Sequence, residues 1–318
     1  MRWLYSLFPV IFMTLCGCER SGSDLPVAFS VEEVVRATAA PVGSMARDIA
    51  GDLIRVEMLC PDGQDPASWR PEPDVIAAYQ RARLIIANGA DLEIWARTAP
   101  LPRSRVVWTA DAIGEEFLVV RGETHSHGPG GEHAHDRIVG HTWIDPINAI
   151  AQARAIGEAM SLAFPEHASA FQENTQRLTA RLQEAHDRLL GLDTSGVRLI
   201  AAADPFGYLT RRYSWETADL GAPPGDRAAA SDDTDGHALS TGTSTPIVMI
   251  TDAAPNSDAG ASIGLEEPRV FGWETGGAAS GADYAATLLN NIDRLATMLE
   301  AIRDEAGSGD PDTQVEQP

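Results

Sequence analysis

His125, His127, His133 and His135 fall within eleven residues of one another, beside Glu123, Glu132 and Asp136. Neutral imidazoles and carboxylates on one pliable segment can wrap a borderline cation such as zinc, at an ordering cost that limits affinity. Protonation near pH ~6 removes the ring lone pairs, so capture of this kind weakens in acid. A solvated loop of biased composition fits the same residues. His167 and His186 stand singly in helical patterns, where surface or packing roles suit them, and His237 is isolated.

A second piece of chemistry lies at the N-terminus. Residues 1–17 carry one Arg and then an apolar run, ending in Leu15-Cys16-Gly17-Cys18. The run has the form of a bacterial secretion signal and is short for a membrane span. A small residue before Cys18 and a Leu three positions back form a lipobox-like pattern. It implies cleavage before Cys18 and acylation of its sulfur; an ordinary signal peptide with incidental cysteines is the alternative. Acyl chains would anchor the protein firmly, at about 0.8 kcal/mol per buried methylene. Cys60, in the apolar stretch Val56-Glu57-Met58-Leu59-Cys60, reads as a buried small hydrophobe.

Composition closes off other classes. The chain has 318 residues, 44% of them hydrophobic, and a net charge of −22. That size and apolar content allow two ordinary domains with real cores. A surface so acidic repels phosphate backbones, which excludes a nucleic-acid partner. All 24 basic residues are Arg, so neither a Schiff-base lysine nor a phosphate-binding P-loop lysine is present. Three cysteines are too few for a disulfide scaffold or a Cys-rich zinc module. Asp204-Pro205 and Glu274 have no accompanying nucleophile, and Gly276-Gly277 is too weak a signal for a phosphate cradle. A zinc hydrolase has only the His-rich segment in its favour, and the chain is read as a non-enzyme.

The elements that must carry these residues follow from periodicity. Residues 33–60 read as strand, Pro-initiated helix around 41–51, and strand. Residues 71–88 give a helix and then the buried strand Leu84-Ile85-Ile86-Ala87, with Val106-Val107-Trp108 as a further strand and Asp91 to Arg97 as a helical turn. Such alternation predicts a parallel sheet covered on both faces. Residues 122–140 keep no apolar period and read as a mobile loop. His141-Thr142-Trp143-Ile144-Asp145-Pro146 then makes a sharp entry into a helix from Ile147 to Leu162.

In residues 166–192, Phe171, Leu178, Leu182, Ala185 and Leu189 share one helical face. A helix of that length reaches roughly 40 Å, enough for a strut between two lobes; an ordinary surface helix fits the periodicity equally. Strands at 197–202, 247–250 and 269–273, a short helix at 205–213 and a closing helix at 284–303 complete the pattern. Residues 221–245 are polar and acidic and read as a disordered insertion, as does the tail 307–318.

Four blocks together resemble one family. Pro61-Asp62-Gly63-Gln64-Asp65-Pro66-Ala67-Ser68-Trp69 with Ala87-Asn88-Gly89-Ala90-Asp91-Leu92-Glu93-Ile94-Trp95 is similar to the first lobe of the zinc/manganese solute-binding proteins of bacterial ABC transporters. His141 to Pro146 resembles the next block, Asp204-Pro205-Phe206-Gly207-Tyr208-Leu209 with Tyr213 the third, and Trp273-Glu274 with Asp283-Tyr284 the fourth. Order and spacing agree over most of residues 33–303. The agreement is weakest at 214–268, which is shorter than the family norm.

The resemblance implies an α/β fold of two lobes with parallel sheets, residues 33–165 and 193–306, joined by one long rigid helix at 166–192. It implies a signal peptide at 1–17 and a lipidated tether at 18–32. Its function would be capture of a divalent metal, zinc before manganese, in the inter-lobe cleft, with the loop at 122–140 as an auxiliary site. The protein would be a monomer, tethered to the membrane through Cys18 in the periplasm or at the cell surface, with an ABC permease and its ATPase subunit as partners. The family site has three His and one carboxylate. Carried over residue by residue, the positions are Ala67, His141, Ala203 and Glu274, so two imidazoles are missing. A methyl group cannot coordinate, and two ligands with water hold zinc weakly. The alternative is a solute-binding fold that has lost cleft metal and recognises another ligand or a protein partner.

Overall fold

The computed structural model describes residues 30–120, 124–126, 132–134, 137–218, 245–252, 268–276 and 281–307. The first lobe is built on four parallel strands, β1 (Glu32–Ala37), β2 (Arg55–Met58), β3 (Ala82–Ala87) and β4 (Val106–Trp108), in the order β2-β1-β3-β4. Side chains alternate across it as the pleat demands. Val35, Ala37, Leu84 and Ile86 join the main core on one face. Val34, Ala82 and Ile85 join a smaller cluster with Tyr79, Trp95 and Ala96 on the other. Burial on both faces explains the unbroken apolar run Leu84-Ile85-Ile86-Ala87 of β3. Arg36, mid-strand and buried, is held by Glu57 at 2.9 Å and by Glu32 and the Ala78 carbonyl.

Helix α1 (Ala40–Ala50) crosses from β1 to β2, α2 (Pro73–Arg81) leads into β3, and α3 (Ile94–Thr98) follows it. Pro41 and Pro73 open α1 and α2 at positions where a missing N–H costs nothing. Trp69 and Trp95 meet edge to face at 5.5 Å in the smaller cluster rather than along the junction of the lobes, where Trp143 and Trp273 are buried.

The segment read as a loop is partly paired. β5 (Val119–Val120) runs antiparallel to β8 (Arg137–Ile138), and β6 (Thr124–Ser126) to β7 (Glu132–Ala134), with His125 opposite His133. Ladders of two or three residues need only main-chain groups, so they leave no hydrophobic signature. His127, His135, His237, Cys18 and the stretch 221–244 lie outside the described residues.

The second lobe repeats the topology: β9 (Arg198–Ala202), β10 (Glu216–Ala218), β11 (Ile247–Asp252) and β12 (Arg269–Trp273) are parallel in the order β10-β9-β11-β12. α6 (Ala203–Tyr213) follows β9 and α7 (Tyr284–Gly307) closes the chain. In both sheets the order reverses beside the first strand, which places a crevice at the carboxyl ends of the strands.

α4 (Pro146–Ala163) ends the first lobe, and α5 (Ala168–Leu190) joins it to the second. α5 has 23 residues, which makes it about 35 Å long. It packs against α1 and α4 of the first lobe and α7 of the second. Phe171, Leu178, Leu182, Ala185 and Leu189 form its buried stripe, the face expected from their spacing. α4 and α5 approach so closely that a Cβ at Gly157 would lie 2.2 Å from Thr175 Oγ1. One apolar core runs through both lobes, from Val35 and Ile86 through Trp143, Phe206 and Trp273 to Ile250 and Leu288. Among the described residues no helix is long and apolar enough to cross a membrane.

Cys60 is 4% exposed, and burial, aided by the negative charges of Asp65 and Asp62, pushes its thiol up to about 11. At pH ~8 about one thiol in a thousand would then be thiolate, against about one in four for an unperturbed cysteine. Iodoacetamide should label Cys60 at least about a hundredfold more slowly in the native protein than in denaturant. Peptide mass spectrometry checks this, and equal rates would contradict the burial.

Candidate metal centre

His141 is mounted on a stiff segment. Gly140 lies so close to Leu92 that a Cβ there would fall 3.0 Å from Leu92 Cβ. Its carbonyl accepts from Asn88 Nδ2 at 2.8 Å. Asn88 Oδ1 in turn accepts from Gln152 Nε2 at 2.8 Å, and Gln152 also donates to Thr109 Oγ1 at 2.8 Å. Thr142 Oγ1 sits 3.1 Å from Asn88 Oδ1 and 3.2 Å from Gln152 Oε1, donating to one of them. All four side chains are buried, so each unmade bond would carry a full desolvation cost.

The turn beneath this network is fixed by Glu93. Its carboxylate accepts from the Asn88 and Gly89 amides at 2.9 and 3.0 Å and from Thr38 Oγ1. Gly89, Ala90 and Asp91 all take positive φ there. Burial drives the Glu93 pKa up, against the three hydrogen bonds that favour its ionised form.

The second lobe meets this segment directly. Trp143 Nε1 donates to the Thr275 carbonyl at 3.0 Å, and Tyr284 Oη donates to the Trp143 carbonyl. Tyr208 Oη donates to the Val139 carbonyl at 3.0 Å and accepts from the Leu118 amide at 3.2 Å. Asp145 caps α4, accepting from the Ile147 amide at 2.9 Å through Oδ1, while Oδ2 accepts from Arg212 Nε. The Asp145 side chain is 1% exposed. Burial pushes its carboxyl up, with Arg212 opposing.

At the carboxyl ends of the strands, His141 Nδ1 stands 3.1 Å from Asp204 Oδ1, one group from each lobe. Their side chains are 27% and 26% exposed, so water and small solutes reach both. The indole of Trp143 flanks the imidazole edge-on at 5.2 Å. Asp204 has extended backbone angles at the first turn of α6, which turns it out of the helical run.

The other positions are arranged differently. Ala67 is half-buried and packs against the main core; its amide donates to Asp65 Oδ1 at 3.0 Å. Ala203 starts α6. Glu274 has its amide and carbonyl fixed by Asn291 at 3.1 and 2.7 Å, while its carboxylate, 64% exposed, lies 3.4 Å from Arg294. Glu274 adjoins Thr275, so it sits next to the strip that touches Trp143. Among the described residues no three His, Cys, Asp or Glu side chains converge as a ready metal cage. Of the isolated histidines, His186 contacts Tyr213 Oη at 2.8 Å and His167 packs on Phe171 at 5.8 Å between ring centroids.

Sequence reasoning named Asp204 and Tyr208 only as members of a matched block and passed over Arg212. The Asp-Pro dipeptide ahead of a helix hinted at Asp204. Nothing local marks Arg212, whose partner is 67 residues away.

Comparison with known proteins adds to this geometry. The family model described as the periplasmic zinc-uptake complex component A, ZnuA, matches residues 35–298. The zinc-binding lipoprotein AdcA of Streptococcus pneumoniae is 28% identical over 148 residues, covering 45% of this chain; the chain spans only 29% of that protein's length. The high-affinity zinc uptake system protein ZnuA of Paracoccus denitrificans is 27% identical over 227 residues, 61% of this chain and 68% of its own. The solved structure of the periplasmic zinc-binding protein TroA from Treponema pallidum superposes with a TM-score of 0.61 at 19% identity, over 84% of this chain and 99% of that one.

Proposed function

Because the chain belongs to the periplasmic zinc-uptake component A family, we propose that it is the extracytoplasmic solute-binding component of a divalent-metal ABC importer, with zinc preferred to manganese. The supporting observation is the meeting of His141 and Asp204 from opposite lobes at the crevice where the carboxyl ends of both sheets come together. The His141 imidazole held there suits zinc, and the further imidazoles of His125, His127, His133 and His135 favour zinc over an ion that prefers all-oxygen ligands. Glu274 is the carboxylate ligand, recruited when zinc outcompetes Arg294. The loop acts as an auxiliary capture site. A permease and its ATPase subunit receive the ion, and acylated Cys18 holds the monomer at the membrane.

A second reading has its own support. Ala67 and Ala203 stand where imidazoles are expected, and the Glu274 carboxylate is next to a cation. On that reading the fold persists and the cleft serves another ligand or a protein partner.

Calorimetric titration of demetallated protein with zinc and with manganese decides between them. The expected result is one zinc site of micromolar or tighter affinity, weaker manganese, loss of the site in His141→Ala, and its survival when residues 123–136 are deleted. Binding that ignores His141→Ala and vanishes with the loop assigns metal to the loop alone. Silence toward both metals establishes the second reading.

A further inference from the structure

We propose that Asp204 is a positioning residue for His141: it holds the imidazole as the Nδ1–H tautomer and so reserves the Nε2 lone pair for the incoming ion. This rests on the reading of His141 as a metal ligand.

The contact is 3.1 Å between His141 Nδ1 and Asp204 Oδ1. A carboxylate oxygen accepts hydrogen bonds and has none to give, so the ring nitrogen must be the donor. In the neutral ring the proton then sits on Nδ1, and Nε2 is left with its lone pair. A carboxylate behind a metal-binding imidazole fixes ring orientation and raises ligand basicity, and its loss typically costs about tenfold to a hundredfold in metal affinity.

Four features of this chain make the arrangement consequential. Asp204 is delivered from the lobe opposite His141, so the ring's orientation depends on how the two lobes pack. Its extended backbone angles at the head of α6 present it apart from the helix that follows. The imidazole is flanked edge-on by Trp143, whose own indole N–H is committed to Thr275. With alanine at 67 and 203, the site depends on His141 more heavily than a site with three imidazoles would. Orientation of this one ring therefore carries a larger share of zinc affinity.

The test is long-range 1H–15N NMR on the metal-free, histidine-labelled protein at about pH 8.5, above the ordinary imidazole range, with His141 assigned by its absence in His141→Gln. Zinc titration follows on the same samples. The wild type should give the Nδ1–H signature. Asp204→Ala should move the ring toward Nε2–H and lower zinc affinity about tenfold to a hundredfold. Asp204→Leu keeps the size of the side chain without any hydrogen-bond acceptor and serves if the alanine variant does not fold; the same direction of change is expected.

An Nε2–H signature in the wild type overturns the assignment, whatever zinc does. So does a folded Asp204 variant that binds zinc as the wild type does. Failure of the transport reading looks different: no zinc is bound by the wild type while His141 still shows Nδ1–H.

Discussion

Replacing Arg212 with Met should destabilise the protein by about 3 kcal/mol at neutral pH, the usual consequence of stranding one charge of a buried pair. Asp145 is the stranded group. Its side chain is 1% exposed, and Arg212, 25% exposed, is the main group that balances its charge among the described residues. Part of the pair's attraction is screened on the arginine side, which keeps the figure at the lower end for such pairs. For a chain of this size the loss corresponds to a drop in Tm of roughly 5–10 °C.

The pH dependence has a definite sign. Burial already raises the Asp145 carboxyl in the folded state, with Arg212 holding it down. A folded pKa above the unfolded one contributes stability that is present at low pH and lost as pH rises through the folded value. Without Arg212 the folded value rises further. The variant can then take up a proton that the wild type leaves in solution, and its deficit shrinks as pH falls. Thermal denaturation of both proteins from pH ~8 to pH ~5 checks this. A deficit that is absent, or that grows in acid, would mean Asp145 is not the uncompensated group.

The second large effect is a gain. Ala67→His with Ala203→His should tighten zinc binding by at least about a hundredfold. Structural zinc sites with four ligands are worth roughly 10–16 kcal/mol, or about 3 kcal/mol per ligand, and about 1.4 kcal/mol is tenfold in affinity. Strain in seating two new rings takes some of that away, since Ala67 packs against the core. The single variants should each give a smaller increase, and His141→Ala in the double background should remove most of it. Competition against a zinc chelator of known affinity provides the measurement. If the double variant binds no better than the wild type, positions 67, 141 and 203 do not share a metal.

How far the sequence foretold this molecule varies with the physics of each part. Ile247 to Ile250 reads as a buried parallel strand because nothing polar interrupts it, and α5 announces its inner face through Phe171, Leu178 and Leu182. Glu216 to Ala218 carries no such signal; it is a strand because β9 offers it hydrogen bonds. Thr124–Ser126 and Glu132–Ala134 pair for the same reason. Arg36 inside β1 runs against the apolar pattern and is tolerated because Glu57 and Glu32 reach it.

At the site, His141 was legible through its neighbours Thr142 to Pro146, a block matched as a whole, since a lone imidazole has no spacing to read. The pairings His141 with Asp204, Asp145 with Arg212 and Glu274 with Arg294 join residues whose closeness depends on how two lobes and a helix pack. Local pattern contains no trace of them.

The unbroken interior from Val35 to Leu288 has a further consequence. Halves fused through their hydrocarbon centre cannot swing apart like jaws without exposing Trp143 and Trp273 to water. On the proposed reading, loading and unloading would then proceed by small rearrangements at the rim, and a transporter would have to recognise the filled state from altered surface segments instead of from a change in overall shape.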